Sequence, residues 1–514
     1  MIQNSYIKSF IAACMLIMSL VTSASADLRS TLANTSIEGS PLLAPLASRA
    51  FYAKRLYAPV WTNQPQRLEQ LRAAISSATE QGLSPANYHQ EILQSARGDA
   101  LEVLATDAWL ALAANIVGGQ LNPVTIEPDW TAARRERDLV SALEQAIASN
   151  RIVDALRDLE PNAPNYTALK TALKTLRERE NFDNSAPITA GAALKLGMTS
   201  TRIPALRLKL AKRGFDVGDS QSEFYDPDLL ATVIAFQRAS SLADDGIVGA
   251  ATLRLLNMTD QDRQQQLIVN MERWRWLPED LGERHIRVNI ANYNLEARNR
   301  GVVERTHQVI VGRDYRQTPV FSNNIRYMIV NPWWETPSSI ARKDKIPAFQ
   351  QNPEKVRELG FDVLDRDGNL LDSDKINWGA YSTNYFPLRL RQRPGPLNAL
   401  GQVKIMFPNP HDVYLHDTAS RELFAKTDRA FSSGCVRVQN ALELAKWLLE
   451  KNPDHDLTSI ASVAASGKET RINMVKPVPV HILYFTVIID ANGKPVYLND
   501  LYNRDQRVAK ALEG

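Results

Sequence analysis

The spacing of apolar residues changes twice along the chain, and each change predicts a different kind of structure. From Asp27 to about Arg179 apolar positions recur every three or four residues. Leu68, Leu71, Ala74 and Ile75 form one run, and Leu101, Leu104, Trp109 and Leu112 another. That period lines up one face of a helix. Gly82 with Pro85, and later Gly118-Gly119 with Pro123, break the runs where the chain must turn. Residues 27–180 thus read as a helical scaffold domain, with one histidine, His89, and no chemistry of its own. Residues 181–197 mix Asn, Ser, Pro, Gly and Ala and read as a connection.

A helical module is expected next, over 198–258. Its first helix carries Ile203, Leu206 and Leu210 and ends at Gly214. A second carries Leu230, Val233 and Ile234 into Phe236-Gln237. The loop Asp244-Asp245-Gly246-Ile247-Val248-Gly249 then leads to a third, with Thr252, Leu255 and Leu256. Its glycines stand where the backbone has to turn.

From about Gln264 the pattern turns to strands. Ile286, Val288 and Ile290 alternate with polar residues, and Val309-Ile310-Val311, Ile405-Met406-Phe407 and Val413-Tyr414-Leu415 are short apolar runs. Phe485 to Ile489 reads as a late strand and Ala491-Asn492-Gly493-Lys494 as a hairpin turn. Between about Ser338 and Pro387 the sequence is polar and irregular, with a helix-like piece from Pro353 to Leu359. So long a stretch inside a β domain reads as an insertion of the lid or binding-loop kind. The expected fold class is multidomain α+β: a helical scaffold, a three-helix module, and a mostly β domain over 264–505 with a capping insertion at about 338–387.

Length and charge narrow the function. A chain of 514 residues accommodates two to four domains. A net charge of +3 with both signs interspersed gives no footprint for nucleic acid. At the N-terminus, Lys8, the apolar run Phe10 to Val21 and the small residues Ala24-Ser25-Ala26 make a signal peptide over 1–26, with a mature start at Asp27. An uncleaved anchor is a second reading, and Ile11-Ala12-Ala13-Cys14 weakly imitates a lipoprotein box. No other segment reads as a membrane span.

Export isolates one thiol. The chain has two cysteines, and Cys14 lies in the leader, so Cys435 has no intramolecular partner. It sits in Ser432-Ser433-Gly434-Cys435-Val436-Arg437, downstream of Tyr414-Leu415-His416-Asp417. A thiol attacks as thiolate and needs a base nearby, for which His416 is the candidate. Gly434 lets amides of the turn converge as an oxyanion hole requires. A backbone carbonyl is expected to orient His416, because the side chain of Asp417, one residue along a strand, points elsewhere. Asn440 and Glu443 read as a cap and its box partner for a helix from Ala441 to Leu449. Arg437 either pairs with a surface acid or binds a substrate carboxylate. Tyr414, Trp333 and Trp334 are either core aromatics or groove walls. The other histidines lack metal-ligand spacing, so no metal and no cofactor are expected.

His416 followed by Ser433-Gly434-Cys435-Val436-Arg437 resembles the catalytic motif of the L,D-transpeptidase family, where a histidine precedes a Ser-His-Gly-Cys segment. Ser432-Ser433 stands where many members have Ser-His. Gly214-Phe215, Phe236-Gln237 and Asp245-Gly246-Ile247-Val248-Gly249 resemble the three-helix peptidoglycan-binding domain. Arg393 to Gly401, Phe407-Pro408-Asn409, Asn331 to Trp334 and Pro477 to His481 are similar to the large Gram-negative branch of the family. The resemblance implies a periplasmic enzyme acting on peptidoglycan tetrapeptide stems as donor and acceptor. Cys435 would attack the carbonyl at the L-centre of the third residue and release D-Ala, and an amine of a neighbouring stem would take the thioester, giving a 3→3 cross-link. It also implies His416 as base and an oxyanion hole at the Cys435 amide with Gly434 nearby. Arg437, Tyr414, Ser433 and Trp334 would line the substrate site, the insertion would act as capping loop, and carbapenems would inhibit. Partners of the wall-synthase or carboxypeptidase kind are implied with it. Transfer to water, transfer to a lipoprotein amine, and a non-catalytic wall-binding scaffold remain the alternatives.

Overall fold

Prolines open several helices of the N-terminal domain. Pro45–Lys54, Pro65–Ser76 and Pro164–Arg177 each begin at one, where the missing N–H costs nothing. The structure, a computed structural model, describes residues 27–179, 183, 185–451 and 457–513. The expected leader, with Cys14, lies outside the described residues.

The helix Gly98–Gly118 runs through the middle of the scaffold. It is long and apolar enough to cross a bilayer, which the reading of the sequence overlooked, and it is mostly buried against its neighbours. Its buried polar residues are answered in place. Glu102 accepts from the amides of Val60 and Trp61 at 2.9 and 2.8 Å, and Asp107 from those of Leu43 and Ala44 at 2.7 and 2.8 Å. Buried acids are stable only with such donors.

The three-helix module forms as expected, with helices Ile203–Ala211, Pro227–Ala239 and Ala250–Asn257. Gly246 has φ +69°, a left-handed backbone that favours glycine, and a Cβ there would also displace the end of the Leu230 side chain. The preceding connection is less free than its composition suggests. Ile188 and Leu194 are buried in the module's own core, and Leu194 bridges to Val248.

Strands begin later than expected. Residues from Asp260 to Trp276 form a helix with a Thr259–Asp262 capping box, and the first strand of the large sheet starts at Arg284. The helix is buried along much of its length by scaffold and sheet together, which erases the one-sided apolar pattern that marks a helix. Tyr166, Leu169 and Leu173 of Pro164–Arg177 share one core with Leu267, Met271, Val288 and Val309. Each fully buried leucine there contributes about 1.5–3 kcal/mol, so the last scaffold helix is fastened to the β domain.

Nine strands make the catalytic sheet: β1 Arg284–Asn289, β2 Asn294–Asn299, β3 Val302–Gly312, β4 Phe321–Val330, β5 Val403–Met406, β6 Leu415–His416, β7 Ala430–Ser432, β8 Val436–Val438 and β9 Thr470–Leu483. Their order is β7-β3-β8-β6-β5-β4-β9-β1-β2, and β2 pairs back onto β3, so the sheet curves round and closes. The late hairpin forms between Val487–Ile489 and Pro495–Tyr497.

The insertion is wider and more ordered than the span 338–387. Trp334–Glu335, Arg389–Gln392, Phe361–Leu364 and Leu370–Leu371 form a separate four-stranded sheet. A core of its own includes Trp334, Phe349, Phe361, Trp378 and Leu390. Strands this short leave little alternation to read. Asn398 closes the base, donating to the carbonyls of Pro332 at 3.0 Å and Arg393 at 2.9 Å.

Candidate active site

Sheet register builds the site. β5 runs antiparallel to β6 with Lys404 opposite His416, and β6 runs parallel to β8 with His416 opposite Arg437. Paired residues on neighbouring strands project to the same face. Lys404, His416 and Arg437 therefore stand in a row across three strands. They line one cleft of about 1390 Å³, together with Cys435, Gly434, Ser433, Tyr414 and Trp334. The seven residues expected at the site border this cleft, whereas Trp333 does not and lies under Arg391, 4.5 Å from its ring.

The imidazole of His416 is held from one side. Its Nδ1 lies 2.5 Å from the backbone carbonyl of Asp417, the kind of orienting group expected. That carbonyl can only accept, so Nδ1 carries the proton and Nε2 keeps its lone pair. The Asp417 carboxylate is engaged elsewhere, accepting from the amide of Gln402 at 2.9 Å. Burial, and then the Arg437 guanidinium, push His416 down to about 3, with Lys404 adding to the effect against the Asp417 hydrogen bond. The ring is neutral at any ordinary pH.

Cys435 follows a turn that only glycine can make, since Gly434 has φ +116°. Ser432 Oγ stitches the turn, accepting from the Gly434 amide at 3.1 Å and donating to the Cys435 carbonyl at 2.6 Å. The Gly434 amide is thus spent, contrary to its expected share in an oxyanion hole. The Cys435 amide has no such partner among the described residues.

The thiol itself donates to the Asp412 carbonyl at 3.5 Å rather than to the imidazole. Asn409 shapes the loop that presents this carbonyl, accepting from the amides of His411 and Val413 at 3.1 and 3.2 Å. Burial raises the thiol, opposed by hydrogen bonds from the backbone and hydroxyl of Tyr414 and by the charges of Lys404 and Arg437. Cysteine and histidine thus rest as a neutral pair, not as the low-pKa thiolate that a free, activated cysteine suggests.

The remaining residues divide. Arg437 makes no ion pair among the described residues, and its buried Nε has no acceptor, which removes the surface-acid reading. Tyr414 lies 5.5 Å from the His416 ring, centre to centre, and Lys404 Nζ sits 4.0 Å above the Tyr414 ring. Ser433 Oγ accepts from Arg316 at 2.8 Å, and Arg316 also reaches Asp344 in the insertion at 3.0 Å. Trp334 is only 6% exposed and belongs mainly to the insertion's core, with Lys345 5.4 Å from its ring. Asn440 sits at φ +53° without a side-chain cap, and Glu443 binds Lys446 at 2.7 Å, so the expected capping box is absent.

Lys404, Lys345 and Arg316 were missed by sequence reasoning. Lys404 was the findable one: it begins Lys404-Ile405-Met406, on the strand paired to the histidine strand.

Comparison with known proteins agrees with this geometry. A family model described as the L,D-transpeptidase catalytic domain matches residues 283–480. A model described as a scaffold domain matches 47–173, and one described as "Putative peptidoglycan binding domain" matches 199–256. A curated protein of Haemophilus influenzae named "Putative L,D-transpeptidase" is 35% identical over 273 residues, 52% of this chain and 55% of that protein. The chain thus spans about half the length of that relative. Among solved structures, the L,D-transpeptidase of Xylanimonas cellulosilytica is 16% identical with a TM-score of 0.20, covering 57% of this chain and 99% of that one. A fused Zn-dependent amidase/peptidase/peptidoglycan-binding protein of Clostridium acetobutylicum is 12% identical with a TM-score of 0.15, covering 57% and 100%. Likeness at those scores carries no weight here. Catalytic, scaffold and peptidoglycan-binding matches fall in order along one chain, and residues 283–480 of it match the L,D-transpeptidase catalytic domain.

Proposed function

We propose that the protein is a periplasmic peptidoglycan transpeptidase that forms 3→3 cross-links through a thioester on Cys435. The observation that carries this reading is the row Lys404–His416–Arg437 facing Cys435 in one cleft, inside a domain matched as an L,D-transpeptidase. Cys435 Sγ attacks the carbonyl at the L-centre of the donor's third residue, and its proton passes to His416 Nε2. The oxyanion falls at the Cys435 amide, the donor left free in the turn. Collapse breaks the peptide bond, and the departing D-Ala amine takes the proton from His416. The amine of an acceptor stem then attacks the thioester, loses its proton to His416 and returns the thiol.

Two cations beside the base have a consequence. With the cleft empty they oppose protonation of His416. A donor carboxylate seated between Arg437 and Lys404 neutralises them, so the imidazole becomes a stronger base when substrate is bound. A cleft of about 1390 Å³ exceeds the roughly 300–1,000 Å³ of a single small-ligand pocket, which supports room for two stems. The three-helix module is read as the wall anchor.

Intact-mass spectrometry tests the covalent step. Incubation with disaccharide-tetrapeptide, or with a carbapenem, is expected to add one acyl group to the protein and none to Cys435→Ala. Folded native protein that carries no adduct under either treatment would sink the reading.

A further inference from the structure

The turn that carries Cys435 is tied to a residue of another domain. Glu127, in the scaffold, is 6% exposed, and its Oε2 accepts from Arg504 Nη1 at 2.8 Å. Arg504 is 5% exposed and opens the C-terminal helix Arg504–Leu512. Its Nη2 donates to the Thr318 carbonyl at 3.2 Å and to Gln317 Oε1 at 3.1 Å. Thr318, fully buried, donates through Oγ1 to the Gly434 carbonyl at 2.8 Å and accepts from the Gly312 amide at 2.9 Å. Tyr502, just before Arg504, donates its hydroxyl to the Gly312 carbonyl at 2.5 Å. Two arms from the C-terminal segment thus end on Thr318 and Gly312, which are bonded to each other, and Thr318 alone reaches the residue next to Cys435.

The scaffold end of this chain is firmly docked. Trp130 is buried in the catalytic core, 5.7 Å from Trp276 between ring centres. Thr131 Oγ1 donates to the Ser322 carbonyl at 2.6 Å and accepts from its amide at 3.0 Å. Asp129 borders the catalytic cleft, 3.7 Å from His411. One short segment of the scaffold, 127–131, is therefore docked on the β domain, and Asp129 within it reaches the cleft. A buried ion pair whose acid is lost leaves its cation uncompensated, and the cation then moves or draws in water.

We propose that Glu127 is a positioning residue for Cys435. It fixes Arg504, which fixes Thr318, which holds the Gly434 carbonyl and with it the direction of the thiol and of the Cys435 amide. The scaffold domain then acts on the nucleophile through side chains as well as by covering the β domain. This rests on reading Cys435 as the nucleophile.

The test uses the full chain with Glu127→Gln and Arg504→Gln, and Glu279→Gln as control. Glu279 pairs with Arg135 at 3.1 Å across the same scaffold boundary but has no bond leading to the turn. Hydrogen exchange is measured by mass spectrometry on peptides covering 312–320 and 430–437, beside steady-state turnover of tetrapeptide. Faster exchange in both peptides, with kcat lowered roughly tenfold to a hundredfold and KM changed by less than about twofold, is expected for the first two variants and not for the control. Arg504→Lys should recover part of the kcat. Unchanged exchange at 430–437 in folded Glu127→Gln would overturn the proposal, as would an equal effect in Glu279→Gln. If Glu127→Gln does not fold, Glu127→Asp, which keeps the charge but shortens its reach, is read the same way. Exchange decides the positioning claim even if native protein turns over no tetrapeptide, an outcome that would count against the function and not against the relay.

Discussion

Two buried histidines show what separates structure from chemistry in this chain. His89, in the scaffold, is 7% exposed and bonded at both ring nitrogens, to Ser40 Oγ at 2.9 Å and to the Asp107 carboxylate at 2.8 Å. His416 is 5% exposed and bonded at Nδ1 alone; its other nitrogen meets no partner among the described residues. Burial is nearly equal. The difference lies in the neighbours, a carboxylate for His89 and a row of cations for His416. A histidine satisfied on both sides fixes a fold, whereas one held on one side beside unpaired cations and a thiol is poised to move a proton.

Exchanging the two histidines for glutamine should separate the roles most widely. His416→Gln is expected to lower kcat by roughly 10²- to 10⁴-fold with the melting temperature little changed. His89→Gln should keep turnover and lose about 1–3 kcal/mol of stability, because the Asp107 carboxylate loses a partner. Steady-state kinetics and thermal denaturation of both variants decide. Equal effects of the two on kcat would erase the distinction.

The flanking cations give the next largest effect. Arg437→Met and Lys404→Met are each expected to raise KM roughly tenfold to a hundredfold, the worth of one hydrogen bond to a charged group. Each should also let the His416 pKa rise, since one opposing charge is gone. Imidazole resonances followed by NMR against pH check this. A KM that stays unchanged would move the carboxylate site elsewhere.

Dependence on pH follows from the same shifts. His416 is held at about 3 against its usual 6.5, and burial holds His481 at about 4. Between those values and 6.5 the unfolded chain takes up protons that the folded chain refuses. These histidines therefore reduce stability as pH falls from 6.5, and cost nothing above it. Denaturant titrations between pH 4 and pH 8 measure the slope. Alkylation of Cys435 should keep accelerating above neutral pH, because burial raises its thiol. A plateau below pH 7 would signal the thiolate–imidazolium pair that this geometry opposes.

The smallest expected effect is at Glu443. Because it caps nothing, Glu443→Ala should change stability by no more than about 0.5 kcal/mol in thermal denaturation.

Much of this contrast was legible in the sequence. The lone Cys435, the Ser-Ser-Gly turn and the strand ending at His416 located the pair, and the pull of a backbone carbonyl was anticipated. The three helices of the module were readable because their apolar residues sit on one face. Other features lie in pairings that no single segment displays. Lys404 joins the site only through the register of β5 against β6. Gly434 was credited with an amide that Ser432 in fact consumes. The helix Asp260–Trp276 is covered from two sides and loses its amphipathic signature, and the insertion's strands are too short to alternate visibly. Glu127 and Arg504 are distant in sequence and meet only once the scaffold docks.

The central claim is best tested on muropeptides. Purified protein is incubated with disaccharide-tetrapeptide beside Cys435→Ala, and the products are read by mass spectrometry. The account predicts a dimer lighter than two substrates by one D-Ala and absent with the variant. Tripeptide without dimer would make the enzyme an L,D-carboxypeptidase, and no Cys435-dependent product from folded protein would contradict the account.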